Sequence, residues 1–486
     1  MRKLVFDPSK QYQAIDNFGA SACWWTDPAY ESLPGEDMDE IARLLFDRQT
    51  GAGLSCIRFN IGGGSSWYDR EFIENWMMRA ECFQIGPKAP YDWTRHAGQQ
   101  WLIQRAKEMG VERTIAFVNS PPAWLCENGH TRCDEQTGTT NLKHGAERQF
   151  GRYLADILKH FQDKGLPFDY ISPINEPQVP WDTPKQEGCR YSNEDTIRTV
   201  LAIKRELDAA GVTAKLLINE TNNPLALVDL DLVLQDAESL IPGGIERGWQ
   251  FGGKYCENIK DIFNLSCIRD AVAPIIASHS YGSDIPGKMT KIRQLVMATM
   301  ERYPGYDYWM TEYCILGEYG PGRDLGMAPA LYISRVIHAD LTVLNAAAWQ
   351  WWLAVSGADY KDGLIYIDLD EQGNYGGFYT SKMLWALAHY ARFLRPGSVR
   401  VELTGGDSED GLLVTGWLNT EDKAVIVLVN TKDVDETVEI VGGADRWRMY
   451  RTSDEEDMAD CGIAGNTITL NAGSITTLYE NMSASG

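Results

Sequence analysis

The sequence predicts an α/β protein: a (β/α)8 barrel of the TIM type with an accessory antiparallel β-sandwich. Two features of the chain predict it. From about residue 16 to residue 393, short β-branched or aromatic runs alternate with longer stretches whose apolar residues recur three and four apart, the signature of repeated β/α units. Beyond Arg395-Pro396-Gly397 the texture changes to short alternating runs separated by Gly, Asn and Asp, the signature of an antiparallel sandwich. The length of 486 residues suits one barrel plus such a domain.

The strand runs can be taken in order. They are Asn17–Ala22, Cys56–Ile61, Thr114–Asn119, Tyr170–Asn175, Lys215–Asn219, Ile275–His279, Tyr308–Glu312 and Ala346–Trp351. Eight is the number a closed barrel of this kind requires. Between them, helices are predicted at Asp37–Arg48, Ala146–Phe161, Glu194–Ala210, Met289–Tyr303, Pro329–Leu344 and Ser381–Phe393. The sandwich strands read as Gly411–Trp417, Lys423–Asn430, Glu436–Val441, Arg446–Tyr450, Thr467–Asn471 and Ile475–Tyr479. The opening segment Lys3–Ala14 also has strand character and is expected to pair with that C-terminal sheet. The predicted division is therefore 15–395 for the barrel, and 1–14 with 396–486 for the side domain.

Composition excludes some partners. Lys and Arg total 45 against 68 Asp and Glu, a formal charge of −23, and an acidic surface of that size repels nucleic acid and anionic membranes. No window approaches the roughly 18 uninterrupted apolar residues of a membrane helix. The N-terminus turns polar at once, so for the sequence as written a cytoplasmic location is expected, and a secreted one if a leader has been removed. The ten cysteines are dispersed, with no spacing that suggests zinc or a disulfide framework, and are read as buried free thiols. No cofactor or metal is expected.

In a β/α barrel the reactive groups lie at the C-terminal ends of the strands. Two ends carry a glutamate: Ile174-Asn175-Glu176-Pro177-Gln178 closes the fourth run, and Met310-Thr311-Glu312-Tyr313-Cys314 closes the seventh. A strand-end glutamate ordinarily just caps the following helix. Two of them, on strands expected to face each other across the barrel mouth, match what glycoside hydrolysis needs: a proton donor at the leaving oxygen and a carboxylate at the anomeric carbon. Glu220, in Asn219-Glu220-Thr221 after the fifth run, is the rival carboxylate.

These motifs resemble glycoside hydrolase family 30. The matching segments are Asn175-Glu176-Pro177-Gln178, Thr311-Glu312-Tyr313-Cys314, Arg58-Phe59-Asn60-Ile61-Gly62-Gly63-Gly64 and Asn119-Ser120-Pro121-Pro122-Ala123-Trp124. Within the family, Asn17-Phe18-Gly19-Ala20-Ser21, Arg79-Ala80-Glu81-Cys82-Phe83 and Gln186-Glu187-Gly188-Cys189-Arg190-Tyr191 are similar to the endo-β-1,6-galactanase branch. The resemblance implies a retaining enzyme with Glu176 as acid/base and Glu312 as nucleophile. It implies that Asn175 meets the sugar 2-hydroxyl and that Arg58 keeps Glu312 ionised. Asn60, Trp124, His279 and Tyr281 are expected around the substrate, with Trp349 as the floor of the −1 subsite, since an aromatic face stacks on a pyranose. Some of Trp24, Trp25, Trp67, Trp124 and Trp181 are expected to line the cleft. The Gly62–Gly64 turn lacks the spacing of a phosphate loop and is read as a turn that admits the backbone close to sugar.

The function expected is a β-glycosidase acting on β-1,6-galactan-type oligo- or polysaccharides. The alternatives are a β-1,6-glucanase, β-xylosidase or β-glucosidase of the same family acting on imported oligosaccharides, or a barrel that only binds carbohydrate.

Overall fold

A computed structural model of the chain describes residues 1–183, 185–235, 253–316 and 322–480. After β1 (Arg2–Ala14) come eight parallel strands: β2 (Asn17–Ser21), β3 (Cys56–Asn60), β4 (Arg113–Phe117), β5 (Tyr170–Ser172), β6 (Lys215–Thr221), β7 (Val272–His279), β8 (Asp307–Glu312) and β9 (Ala348–Ser356). They pair in chain order, and β9 closes the barrel by pairing with both β8 and β2, so that Trp349 stands opposite Met310 on one side and Phe18 on the other. All eight runs read from the sequence are these strands. Residues such as those of β2, β3 and β9 are buried throughout, because a parallel sheet is covered on both faces, and that is why the runs are continuously apolar.

The six predicted helices are present as Gly35–Phe46, Glu147–Asp163, Asn193–Ala210, Met289–Arg302, Met327–Thr342 and Lys382–Ala391. Asn193–Ala210 shows how local sequence sets such limits. Ser192 and Asp195 form a capping box at its start, and Gly211, at φ 66, ends it in the left-handed conformation. Five further α-helices among the described residues were not predicted, the longest of them Thr26–Ser32 and Ala97–Glu108. Nor was the antiparallel hairpin β10 (Gly363–Leu369) and β11 (Tyr375–Thr380), which hangs on the edge of β9 above the barrel mouth through the parallel β9–β10 pair.

The C-terminal strands are β12 (Val399–Thr404), β13 (Leu412–Leu418), β14 (Ala424–Asn430), β15 (Glu436–Val441), β16 (Trp447–Thr452), β17 (Ala459–Ala464), β18 (Thr467–Leu470) and β19 (Ser474–Glu480). Together with β1 they hydrogen-bond in the order β17-β16-β19-β14-β13-β12-β1-β15-β18. As expected, β1 joins this sheet, antiparallel to β12. Its pairing with β15 is parallel, a departure from the otherwise antiparallel ladder. The strands wrap a core of their own containing Leu4, Phe6, Ile426, Leu428, Trp447 and Leu478. Their other face packs on the barrel: His389 of the helix Lys382–Ala391 is bonded to Thr477 Oγ1 at 2.7 Å and Thr452 Oγ1 at 2.9 Å. Residues 481–486 of the predicted side domain lie outside the described residues. No helix among the described residues is long and apolar enough to cross a membrane.

Candidate active site

The ends of β5, β6, β7 and β8 converge on one cluster of charge. Glu312 is the last residue of β8, and Glu176 follows β5 after Pro173-Ile174-Asn175. Oxygens of these two carboxylates and a nitrogen of His279 lie within 4.8 Å of one another. Glu312 accepts from Arg58 Nη1 at 2.9 Å and from the Tyr281 hydroxyl at 3.1 Å. Glu176 accepts from His279 Nδ1 at 3.0 Å and from Asn222 Nδ2 at 2.9 Å. Beneath them Glu220 accepts from Arg58 Nη2 at 2.5 Å and from His279 Nε2 at 3.3 Å. Arg58 also stacks over the Phe117 ring, 4.3 Å from its centroid. Three carboxylates therefore share two cationic groups in a site from which water is nearly excluded.

Burial disfavours charge on His279, yet Glu312, Glu176 and Glu220 outweigh it and push the imidazole up to about 10. The raised imidazole favours the charged form, in which both ring N–H groups donate, one to Glu176 and one to Glu220. Burial likewise pushes Glu220 up, but Arg58 and His279 win and its carboxyl lies below the ordinary value. At Glu312 the balance goes the other way. Burial pushes it above the ordinary value against the pull of His279 and Arg58. Arg58 does reach Glu312, but it spends part of its charge on Glu220, and the closed pocket desolvates Glu312.

A cavity of about 390 Å³ lies past the ends of β2 and β3, lined by Trp24, Trp67, Trp76, Asn60, Glu81 and His96 among others, with Arg58, Glu176 and Glu312 outside its lining. Its floor reaches Cys23, whose thiol feels both Glu312 and Arg58. The site is a carboxylate pair at the C-terminal mouth of a barrel, with an aromatic-walled pocket at its side.

Residues 1–366 match the model of O-glycosyl hydrolase family 30, and residues 397–478 match the family 30 β-sandwich domain. The chain belongs to glycoside hydrolase family 30. It is 23% identical to an endo-β-1,6-galactanase of Hypocrea rufa over 92% of this chain and 89% of that one. It is 29% identical to an exo-β-1,6-galactobiohydrolase of Bifidobacterium longum subsp. longum over 41% of this chain and 17% of that much longer one. Among solved structures, a conserved exported protein from Bacteroides fragilis superposes with a TM-score of 0.86 at 28% identity, covering 98% of this chain and all of that one. As a family 30 member this protein is a glycoside hydrolase acting on carbohydrate.

Of the predicted site residues of this family 30 chain, the structure gathers Glu176, Glu312, Arg58, His279 and Tyr281 into direct contact. Asn175 and Asn60 are buried next to them, and neither Asn175 Oδ1 nor Asn60 Nδ2 has a hydrogen-bond partner among the described residues. Trp349 is not the floor of a subsite. It is wholly buried, and its Nε1 donates to Asp340 Oδ2 at 2.9 Å, in the layer between the barrel and the helix Met327–Thr342. The β9 tryptophan that turns toward the site is Trp352. Ala20 pairs with Trp351 and Ser21 with Leu353, so Trp352 is the extra residue of a β-bulge, and bulges re-aim side chains. Its ring meets Trp24 edge-on at 5.1 Å and Phe117 at 6.1 Å.

Trp124 is held elsewhere, by Gln84 O at 2.8 Å and the Tyr153 ring. Of the other four tryptophans, Trp24 and Trp67 line the cavity and Trp25 is core, while Trp181 Nε1 donates to the Glu176 carbonyl at 3.2 Å. In the Gly62–Gly64 turn the glycines are required by packing. A Cβ at Gly62 would stand 2.2 Å from the Glu81 carbonyl, and one at Gly63 would stand 2.8 Å from the Pro121 carbonyl. Sequence reading missed Asn222, whose role depends on the turn after β6 and on no motif. No disulfide joins any of the ten cysteines, and eight of them are buried.

Proposed function

We propose that this family 30 enzyme is a retaining β-glycosidase, with Glu312 as nucleophile and Glu176 as general acid/base, acting on β-1,6-linked galactan-type chains. The observation that carries the mechanism is the spacing. Oxygens of Glu176 and Glu312 come within 4.8 Å. Such closeness favours a retaining pair, whose carboxyl groups stand about 5–5.5 Å apart, over an inverting pair, which needs about 6.5–9.5 Å to admit a water.

In the first step an oxygen of Glu312 bonds to the anomeric carbon as the bond to the leaving oxygen breaks, and that oxygen takes the proton of Glu176. In the second step Glu176 takes a proton from water, whose oxygen displaces Glu312 from the same carbon, and configuration is retained. Arg58 and Tyr281 hold the attacking carboxylate from two sides. His279 and Asn222 hold the Glu176 oxygen Oε1. Asn175, whose Oδ1 has no hydrogen-bond partner among the described residues, is assigned the bond to the sugar 2-hydroxyl. The β-1,6-galactan assignment rests on the similarity to the two galactan-cleaving relatives and on the shared motifs.

The test has two parts. Glu312→Gly should abolish turnover, and Glu176→Ala should recover activity on an activated aryl glycoside when azide is added. A fully active Glu312→Gly, or a Glu176→Ala that azide leaves dead, overturns the roles. Digesting β-1,6-galactan and β-1,6-glucan fragments side by side tests the substrate: preferential cleavage of the glucan sinks the galactan reading.

A further inference from the structure

We propose that Glu187 is a positioning residue for Glu176, bracing the segment that follows the acid/base against the turn after β3 so that Trp181 can hold the Glu176 backbone. The inference rests on the acid/base role proposed above for Glu176.

Glu187 is 1% exposed, and its two oxygens accept the backbone N–H groups of Gly63 and Ser65 at 2.8 and 2.9 Å. It thereby ties the Pro177–Tyr191 segment to the end of β3, the strand that carries Arg58 and Asn60. Tyr191 N–H donates to the Pro177 carbonyl at 2.9 Å, so residues 177 and 191 are held together. The next residue, Gly188, donates its N–H to the Thr131 carbonyl at 2.9 Å. The Trp181 indole lies flat on this glycine, and a Cβ there would stand 2.1 Å from a ring carbon. Held so, the indole reaches back to the Glu176 carbonyl, which also accepts Val179 N–H at 3.0 Å. The chain of contact runs from the β3 turn through Glu187 and Gly188 to Trp181 and Glu176.

Glu176 needs such a brace. Its φ of 46° is left-handed, a conformation strained for a glutamate and narrowed further by the following proline. Such a residue persists only where its surroundings over-determine it, and release of Trp181 lets the backbone relax and carries the carboxyl away from the leaving oxygen. Glu187 is itself an expensive device. Burial pushes its carboxyl up to about 7, although the Gly63 and Ser65 groups pull it down. A buried carboxyl bonded to amides is costly to keep, which fits a task beyond packing.

The experiment compares leaving groups, because only a poor leaving group needs the proton of Glu176. For Glu187→Ala, kcat/KM on a phenyl β-glycoside of the sugar that wild type hydrolyses should fall about tenfold or more, since a small misplacement of a catalytic group is expensive. On the 2,4-dinitrophenyl glycoside it should stay within about twofold. Gly188→Ala, which displaces the Trp181 ring, should show the same split, and Glu187→Gln a milder one, so the test survives if the alanine variant does not fold. Equal losses on both substrates, or none, overturn the proposal. Glu176→Ala is the control: without a leaving-group dependence there, it is the acid/base reading that fails, not the brace.

Discussion

The carboxylate of Glu220 stands 2.5 Å from the guanidinium of Arg58, and neither side chain is exposed to solvent. Glu220 therefore cannot compete with Glu312 for substrate; it fixes the two cations that Glu312 and Glu176 use. Removing one partner of a buried ion pair leaves the other uncompensated, which typically costs about 3–5 kcal/mol. Glu220→Ala should lower the melting temperature and cut kcat/KM together, because Arg58 and His279 lose their common anchor. An intact Tm with full activity in that variant would show that Arg58 is held by Glu312 alone.

Two of the three tryptophans of β9, Trp349 and Trp352, should separate cleanly. Trp352→Ala removes an aromatic wall beside Trp24 and Phe117, so KM for a glycoside should rise several-fold with a modest change in Tm. Trp349→Phe keeps a ring but takes one of the two side-chain donors from the buried Asp340 Oδ2, leaving Ser280 Oγ at 3.2 Å, and should cost about 1 kcal/mol with KM unchanged. Steady-state kinetics beside thermal melts decide the matter, and the reverse pattern would return Trp349 to the substrate.

These tryptophans also show where sequence reading stops. The barrel strands are legible because both faces of β2 through β9 are covered, leaving apolar runs that no surface segment imitates. Glu176 and Glu312 are legible because they end such runs. The bulge that turns Trp352 toward the site is a matter of register against β2, and one residue of slip exchanges the faces of a strand. Glu220 could be found but not understood, since its partner Arg58 is 162 positions away. Strand β17 (Ala459–Ala464) and the β10–β11 hairpin escaped for a related reason. Ala459–Ala464 has no buried residue, and the hairpin's outer strand, Tyr375–Thr380, buries none either.

His389 should make stability pH-dependent. Buried between two threonine hydroxyls and near Arg392, its imidazole is pushed down to about 3, first by burial. A histidine depressed in the folded state is neutral there while the unfolded chain binds a proton below its ordinary value near 6.5. Its contribution is complete above that value and is lost progressively as pH falls from about 6.5 toward 3. His389→Gln keeps the bonding without the titration. The stability difference between wild type and variant, from denaturant melts, should shrink between pH 7 and pH 5; a constant difference refutes the assignment.

Tyr281 is placed to set the acid limb of activity. Its hydroxyl donates to Glu312 Oε1 at 3.1 Å, a bond to the charged form of a carboxyl that burial has already pushed upward. A donor to the carboxylate favours ionisation, so Tyr281→Phe should raise the Glu312 pKa further. On the proposed mechanism only the ionised carboxylate attacks, so kcat/KM should begin to fall at a higher pH in the variant. Near the optimum the loss should be about tenfold, as one stabilising contact to the reacting carboxylate goes. The ring stays to pack against Tyr313, whose centroid is 5.9 Å away, so the fold should hold and the melting curve should change little. A full pH profile of kcat/KM separates this from a packing defect, which would scale the whole curve without moving its acid limb.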